Sequence, residues 1–367
     1  MLQRVQDDKN MHVPHFPSMC LFTTEFSPSA ENPEKVLVRY ALAHTFDQPE
    51  QKLPSGEEVL EIPIRPDVDG LGLESIEYKL HTAVAKAYVM PEKVCRWFSD
   101  RFGFEVRLNY IGLNRREVLG NLNPNAPRTW VGDPDPKKEV EKALSPGGGW
   151  LGGLKAGVGS VVGTVASYTG MDGYKGVDDG LTFTDLAAFL VVNYKSHVDV
   201  SGRVQTDIDV EKFRPNIVVD GGDEECSAWS EDYWGEIAIG PEERGTRIAF
   251  TSNCARCASV NVDYQTGKMH EGSEGQLLKS MQSDRRVDPG FKYSPIFGRY
   301  GFLSQKNGTR PERPITISVG DEVQITKKND KRTHFCKFKV PSDDLPARRL
   351  STYCRPAPYP MSCHTPF

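Results

Sequence analysis

The sequence predicts a β-barrel fold, of either the all-β or the α+β class. Short runs rich in Val, Ile, Phe and Tyr recur at close spacing and are separated by turn residues, which is typical of strands. Helical spacing of apolar residues is less frequent, and it is clearest at residues 90–103, where Gly103 is a stop signal. Strands that outnumber helices in this way are typical of a barrel.

The predicted elements of the first third are three strands, a helix and a further strand. Val94, Trp97, Phe98 and Phe102 give the helix its apolar stripe. In chain order we expect strands at 20–26, 35–41 and 58–64, the helix at 90–103 and a strand at 104–112.

Residues 145–180 differ from the rest because they are rich in glycine and small apolar residues. A phosphate-binding loop is not supported, since Gly157-Val158-Gly159 lacks the third glycine of the dinucleotide motif and no GK[ST] follows. We therefore expect an insertion loop at about 145–178.

Strands dominate the remainder as well. A buried strand or the start of a helix is expected at 181–193, and a helix at 277–287. Further strands are expected at 213–221, 234–240, 247–252, 297–305 and 315–328. Residues 331–367 are rich in proline and basic residues without a clear period, which favours a disordered tail.

Composition excludes some classes of protein. The 367 residues carry a formal net charge of −5, and the basic residues form no stripe, which argues against a nucleic-acid binder. No apolar run reaches the length of a membrane span, and we see no signal peptide. The eight cysteines are spread widely, so a reducing compartment is expected.

The most informative motif is "NCARC" at residues 253–257, with Cys254 and Cys257 three positions apart. A zinc site needs four ligands, usually from two such pairs, and this chain has one. A thioredoxin-like motif would begin a helix, whereas the following residues 258–264 are expected to be extended. Two buried structural cysteines are the remaining alternative.

The segments around this motif resemble the MOSC family, named for the C-terminal domain of molybdenum cofactor sulfurases, and more narrowly the amidoxime-reducing branch of that family. The similar segments are "FRPNIVVDGGD", "WSEDYWGEIAIG", "NVDYQTG", "YSPIFGRYGFL" and "VGDEVQI", in that order. The resemblance implies an α+β fold: a MOSC-type β-barrel with flanking helices at 76–330, preceded by a partial N-terminal β-rich MOSC domain at 1–75.

The resemblance also implies a molybdenum cofactor, Mo-molybdopterin, and a set of site residues. Cys257 is the implied catalytic residue and metal ligand, and a soft thiolate suits molybdenum. Arg256 beside it is expected to lower its pKa. The other implied cofactor-binding residues are Arg214, whose planar fork suits the cofactor phosphate, Asn216, Asp185 and Cys254.

In two places this chain departs from the family pattern. Leu186 and Ala187 stand where the family has small hydroxyl residues. The family's first strand carries a "PVKSC"-like turn whose lysine and serine bind the cofactor phosphate, and this chain starts downstream of that turn. We therefore expect either an N-terminally truncated member of the family or a degenerate relative.

The function implied by the resemblance is an oxidoreductase that removes oxygen from N-hydroxylated compounds at molybdenum. Cytochrome b5 and NADH-cytochrome b5 reductase are the implied electron donors, and the cytosolic face of the mitochondrial outer membrane is the implied location, with the cytoplasm as the alternative. A non-catalytic cofactor carrier of the sulfurase type is the competing function. A zinc-binding interaction protein built on Cys254 and Cys257 is the third.

Overall fold

The computed structural model describes residues 1–41, 59–81, 83–118, 174–176, 180–222, 226–240, 246–306 and 315–335. In these ranges the helices are α1 Glu92–Phe102, α2 Tyr194–Val204 and α3 Leu277–Gln282. The strands, in chain order, are β1 Leu2–Arg4, β2 Lys9–Asn10, β3 Phe22–Ser27, β4 Lys35–Tyr40, β5 Val59–Pro63, β6 Ser75–Leu80, β7 Ala83–Val89, β8 Val106–Tyr110, β9 Tyr174–Gly176, β10 Phe189–Asn193, β11 Ile217–Val219, β12 Trp234–Ile239, β13 Thr246–Ala255, β14 Val262–Asp263, β15 Lys268–Met269, β16 Ile296–Lys306 and β17 Val323–Lys328. Helices and mainly antiparallel sheets, in which only the described β10–β11 pair is parallel, together confirm the α+β class.

The first of two compact units comprises residues 1–117, 180–183 and 257–278. Its larger sheet has the strand order β2-β1-β8-β7-β6, and a second sheet has the order β3-β4-β5. Helix α1 buries Val94, Trp97 and Phe98 in a core shared with residues of β4, β5 and β8. The apolar stripe of α1 is therefore what joins the helix to the strands of this unit.

The sequence predictions for this unit agree with the structure at β3, β4, β5, α1 and β8. Helix α1 ends where Gly103 adopts a φ of 76° and donates its N–H to the Ser99 carbonyl, so the expected glycine stop is confirmed. Strand β1 was not predicted. It pairs with β8, with Leu2 opposite Leu108, and such a distant partner leaves no local pattern in the sequence.

The second unit comprises residues 118–179, 184–256 and 279–367. Its sheet has the strand order β11-β10-β16-β13-β12-β17, and β9 pairs with β16. Register shifts in the β13–β16 and β12–β17 pairings mark bulges, which bend strands and curl a sheet. The core on this sheet includes Val191, Trp234, Ile237, Ile248 and Phe250.

Two sequence predictions need correction, and one helix was not predicted. Residues 258–264 are not simply extended, because Ala258–Asn261 form a 3-10 turn before β14. The expected disordered tail does not begin at 331, because Thr333 is fully buried and the Phe335 ring stacks on Phe291 at 4.8 Å. Helix α2 was not predicted, and its side chain cap, Asn193, sits at the end of a buried strand.

The expected domain limits and the compact units differ. Residues 76–117, assigned from the sequence to the MOSC-type domain, group with residues 1–75 in the first unit. The partial N-terminal MOSC domain at 1–75 stays a prediction. Most of the glycine-rich insertion lies outside the described residues, but Tyr174–Gly176 form β9, antiparallel to the end of β16.

In the parts of the chain that are described, no helix combines the length and apolar character needed to cross a bilayer.

A buried carboxyl group, Glu231, lies in the second unit. Its side chain is fully buried, and Oε2 accepts a hydrogen bond from Ser196 Oγ at 2.8 Å, while Oε1 has no hydrogen-bond partner among the described residues. Burial, with the neighbouring Asp232 carboxylate as the second cause, raises the pKa of Glu231 to about 7, while the Ser196 hydrogen bond and Arg285 oppose the rise.

We predict that Glu231 makes stability fall as pH rises. Between pH 4.5 and 7 the unfolded chain releases this proton while the folded chain keeps it. The free energy of unfolding of Glu231→Gln, relative to that of the wild type, should therefore increase by roughly 3 kcal/mol from pH 4 to pH 8. Urea unfolding at both pH values measures this. The exposed Glu322→Gln is the control, and a Glu231→Gln difference that does not change with pH would contradict the prediction.

Candidate functional site

The five residues of the "NCARC" motif lie at the end of β13 and just beyond it, and their side chains have different surroundings. Asn253 is buried, and its Nδ2 donates to Asp288 Oδ2 at 2.8 Å and to the Thr333 carbonyl at 2.7 Å. Its Oδ1 accepts from the buried guanidinium of Arg299. Asn253 therefore belongs to a polar network that ties the strand end to residues 331–335.

Cys254 is buried and interacts with Tyr300 on the neighbouring strand β16. The Tyr300 hydroxyl also donates to Asp185 Oδ2 at 2.5 Å. Burial, the Asp185 carboxylate and the Cys254 thiol raise the pKa of Tyr300 well above its ordinary value. Tyr300 thus stays protonated and links two of the residues that the sequence predicts for the site.

Cys257 follows the strand and is the N-cap residue of the 3-10 turn Ala258–Asn261. Its side chain is half-buried, it takes part in no disulfide, and Sγ lies 3.2 Å from Ser259 Oγ. The two cysteines of the motif therefore differ: Cys254 is enclosed between strands, and Cys257 is a partly accessible thiol at an irregular position of the backbone.

The guanidinium of Arg256 is directed at backbone carbonyls. Nε and Nη2 donate to the Phe297 carbonyl at 2.9 and 2.7 Å, and Nη1 donates to the Phe213 carbonyl at 2.6 Å. The sequence predicts a direct role for this cation in cofactor binding and in acidifying Cys257. In the structure, the hydrogen bonds of this side chain go to the carbonyls of two backbone segments and hold these segments together.

Arg214 and Asn216 lie on either side of Pro215, just before β11. Arg214 ends a 3-10 turn in the left-handed conformation, with φ 54° and ψ 44°. Its side chain is exposed, and its guanidinium has no hydrogen bond or ion pair with any residue that the structure describes. Asn216 has a structural role: its Oδ1 accepts from the Leu190 N–H, and its own N–H donates to the Leu190 carbonyl.

The predicted site residues thus differ in what their polar atoms contact. Asp185 and Cys254 meet at Tyr300, and Arg256 holds the carbonyl of the residue before Arg214. Sequence reasoning missed Tyr300 and Arg299. Their position in a strand next to the cysteine motif carried no signal, because the β13–β16 register is visible only in the fold.

Nothing in the described ranges supports a zinc site of protein ligands. No three His, Cys, Asp or Glu side chains there are grouped so that they could hold a metal ion. A zinc site built on Cys254 and Cys257 would need four ligands, so the third functional hypothesis lacks a ligand set in this part of the molecule.

Comparison with known proteins gives the following similarities. The model of the MOSC domain matches residues 178–324. Mitochondrial amidoxime-reducing component 1 of Homo sapiens is 34% identical over 151 residues, which are 40% of this chain and 39% of that protein. The Danio rerio component 1 is 35% identical over 131 residues, 36% of this chain and 37% of that protein. Mitochondrial amidoxime reducing component 2 of Homo sapiens is 33% identical over 139 residues, 37% of this chain and 38% of that protein.

The match spans about two fifths of the length of these relatives. The match to the MOSC domain model falls in the part of the chain where the sequence motifs are most specific, since residues 178–324 contain Asp185, Arg214, Asn216 and the whole "NCARC" motif. This chain therefore contains a MOSC domain at residues 178–324 and is similar to the amidoxime-reducing components.

Proposed function

We propose that this chain binds a molybdenum cofactor through its MOSC domain and is an oxidoreductase that removes oxygen from N-hydroxylated compounds. The observation that carries the proposal is the Cys257 thiol. It is partly accessible, forms no disulfide with another described cysteine, and lies at an irregular backbone position inside the matched domain. The names of the relatives, which are amidoxime-reducing components, support the reaction class.

The donor set fits a molybdopterin in its chemistry. Cys257 offers a soft thiolate to a soft metal. Arg214 offers an exposed guanidinium without a partner among the described residues, which suits a phosphate oxyanion. Asp185 offers a carboxylate that Tyr300 orients, and this acceptor suits the N–H groups of a pterin ring.

Other predicted residues fit the cofactor less directly. The Arg256 guanidinium and the Asn216 Oδ1 are engaged by backbone groups. Cys254 is buried against Tyr300, which supports a role in the surroundings of the site and not as a metal ligand.

The protein's part in the reaction follows from these groups. The bound cofactor supplies the two-electron chemistry. Cys257 would hold the metal, and Arg214 would hold the phosphate. Tyr300, kept protonated by its raised pKa, donates to Asp185 and so orients this side chain.

Electron delivery requires other proteins, and we propose cytochrome b5 and NADH-cytochrome b5 reductase on the basis of the family resemblance. The relatives are named mitochondrial, which supports a mitochondrial location. From the family resemblance we propose the cytosolic face of the outer membrane, with the cytoplasm as the alternative.

One experiment separates the candidate functions. The protein is produced in cells that make molybdenum cofactor, and molybdenum, zinc and pterin are measured per mole of folded protein. Amidoxime reduction is then assayed with cytochrome b5, its reductase and NADH. Molybdenum with pterin and turnover supports the proposal, cofactor without turnover supports the carrier function, and folded protein that lacks pterin would overturn both.

We predict that Cys257→Ser abolishes molybdenum-dependent turnover and that Cys254→Ser leaves part of it. A hydroxyl is a harder and less acidic ligand than a thiol, so only the first change removes the metal's protein ligand. Turnover and molybdenum content of the two variants measure this, and each is the other's control. An equal loss in both would refute the assignment of a single ligand cysteine.

We also predict that pterin retention depends on the planar guanidinium of Arg214 and its bidentate hydrogen bonding. Lysine keeps the charge and loses the bidentate geometry, so Arg214→Lys should retain part of the pterin and Arg214→Ala much less. Both variants should fold, because the side chain is exposed. Pterin per mole of folded protein is the measurement, with the exposed Arg286→Ala as the control. Full pterin content in Arg214→Ala would show that the phosphate is held elsewhere.

A further inference from the structure

Arg256 is a buried cation without a counterion among the described residues. Its relative exposure is 8%, and no carboxylate in the described part of the chain forms an ion pair with it. Its charge lies instead between two carbonyl dipoles and two rings, with the guanidinium carbon 5.3 Å from the Phe213 ring centroid and 5.4 Å from that of Phe297. The two rings meet edge to face at 4.5 Å.

The contact with Phe213 fixes a particular peptide plane. The Phe213 carbonyl belongs to the peptide bond that leads into Arg214, and the orientation of that plane sets the φ angle of Arg214. Arg214 has a φ of 54°, which a residue with a Cβ adopts only at a cost. The 2.6 Å hydrogen bond from Arg256 Nη1 holds the carbonyl that this conformation requires.

The other end of the side chain is equally well defined. The backbone N–H of Arg256 donates to the Pro295 carbonyl at 2.9 Å, and Nε and Nη2 both donate to the Phe297 carbonyl. The residue that precedes Cys257 is thus held at its backbone and at its side chain. Arg256 therefore joins the backbone just before Arg214 to the backbone of residues 295–297.

We propose that Arg256 is a positioning residue, whose side chain holds Arg214 in its left-handed conformation so that the Arg214 guanidinium is presented for phosphate binding. This inference rests on the proposed function for what Arg214 binds, and on the structure alone for how Arg214 is held. It assigns to Arg256 a different role from the direct electrostatic one that the sequence predicts, because its donors Nε, Nη1 and Nη2 are all used by backbone carbonyls.

The first test needs no cofactor and uses the full chain. Arg256→Lys keeps the charge but cannot reach both carbonyls, and Arg256→Met removes all donors. Amide hydrogen exchange of residues 210–216, measured by mass spectrometry on the folded protein, should become faster by about tenfold in Arg256→Lys, because a net hydrogen bond to a charged donor is lost. The lysine variant decides the result if the methionine variant does not fold.

A buried arginine of the same unit is the matched control. The hydrogen bonds of Arg299 go to Asn253, Thr333 Oγ1 and the Trp234 carbonyl, and none of them involves residues 210–216. Arg299→Lys should lower the melting temperature and leave exchange at 210–216 unchanged. Unchanged exchange at 210–216 in both Arg256 variants, or the same increase in Arg299→Lys, would overturn the proposal.

The second test concerns the cofactor and is a double-mutant cycle on pterin content. If Arg256 acts through Arg214, then Arg256→Lys should lower pterin retention in the wild-type background and cause no further loss in Arg214→Ala. Independent, additive losses would show that Arg256 acts on the cofactor by another route and would refute the positioning role. If the wild type holds no pterin, the proposed function fails, while the exchange experiment still decides how Arg214 is held.

Discussion

The second unit depends on one constraint: the arginine side chains that it buries need hydrogen-bond acceptors. A guanidinium has five donors and stays charged, so each buried arginine needs hydrogen-bond acceptors on several sides. Arg285 takes both oxygens of Asp232, Arg299 takes Asn253 and Thr333, and Arg256 takes two carbonyls. These acceptors come from distant parts of the chain, so satisfying the arginines also fixes the strands and segments that supply them.

The same constraint explains why the two cysteines of one short motif end in different places. Asn253 and Arg256 are held by the buried network and by backbone carbonyls, and Cys254 between them is enclosed against Tyr300. Strand β13 ends at Ala255, and the chain then enters a 3-10 turn. Cys257 is therefore the cysteine that remains partly accessible. The spacing of the motif alone does not distinguish it from Cys254.

The sequence predicted several elements whose pattern is local, although the neighbouring antiparallel strands β6 and β7 were missed. Helix α1 has its apolar stripe and its glycine stop within fourteen residues, and β12 and β13 are apolar runs bounded by turns. Strand β1 and the ordered residues 331–335 were missed, because β1 depends on pairing with β8 and residues 331–335 depend on burial of Thr333 beneath Arg299. At the site, the predicted roles stay predictions, and the sequence held no sign that the Arg256 guanidinium donates to the carbonyls of Phe213 and Phe297.

Buried charged groups of this kind are weak evidence for stability, because desolvation offsets much of what their contacts contribute. Replacing them with apolar side chains could give a more stable sheet, but it would lose the direction that hydrogen bonds impose. A guanidinium held at Nε, Nη1 and Nη2 has one orientation, whereas an apolar side chain of the same volume has several. We therefore interpret the buried arginines of the second unit as residues that fix the orientation of the groups they bond. A strained backbone at Arg214 and an oriented carboxylate at Asp185 both need such rigidity, since each is an exposed residue whose conformation is determined from inside the fold.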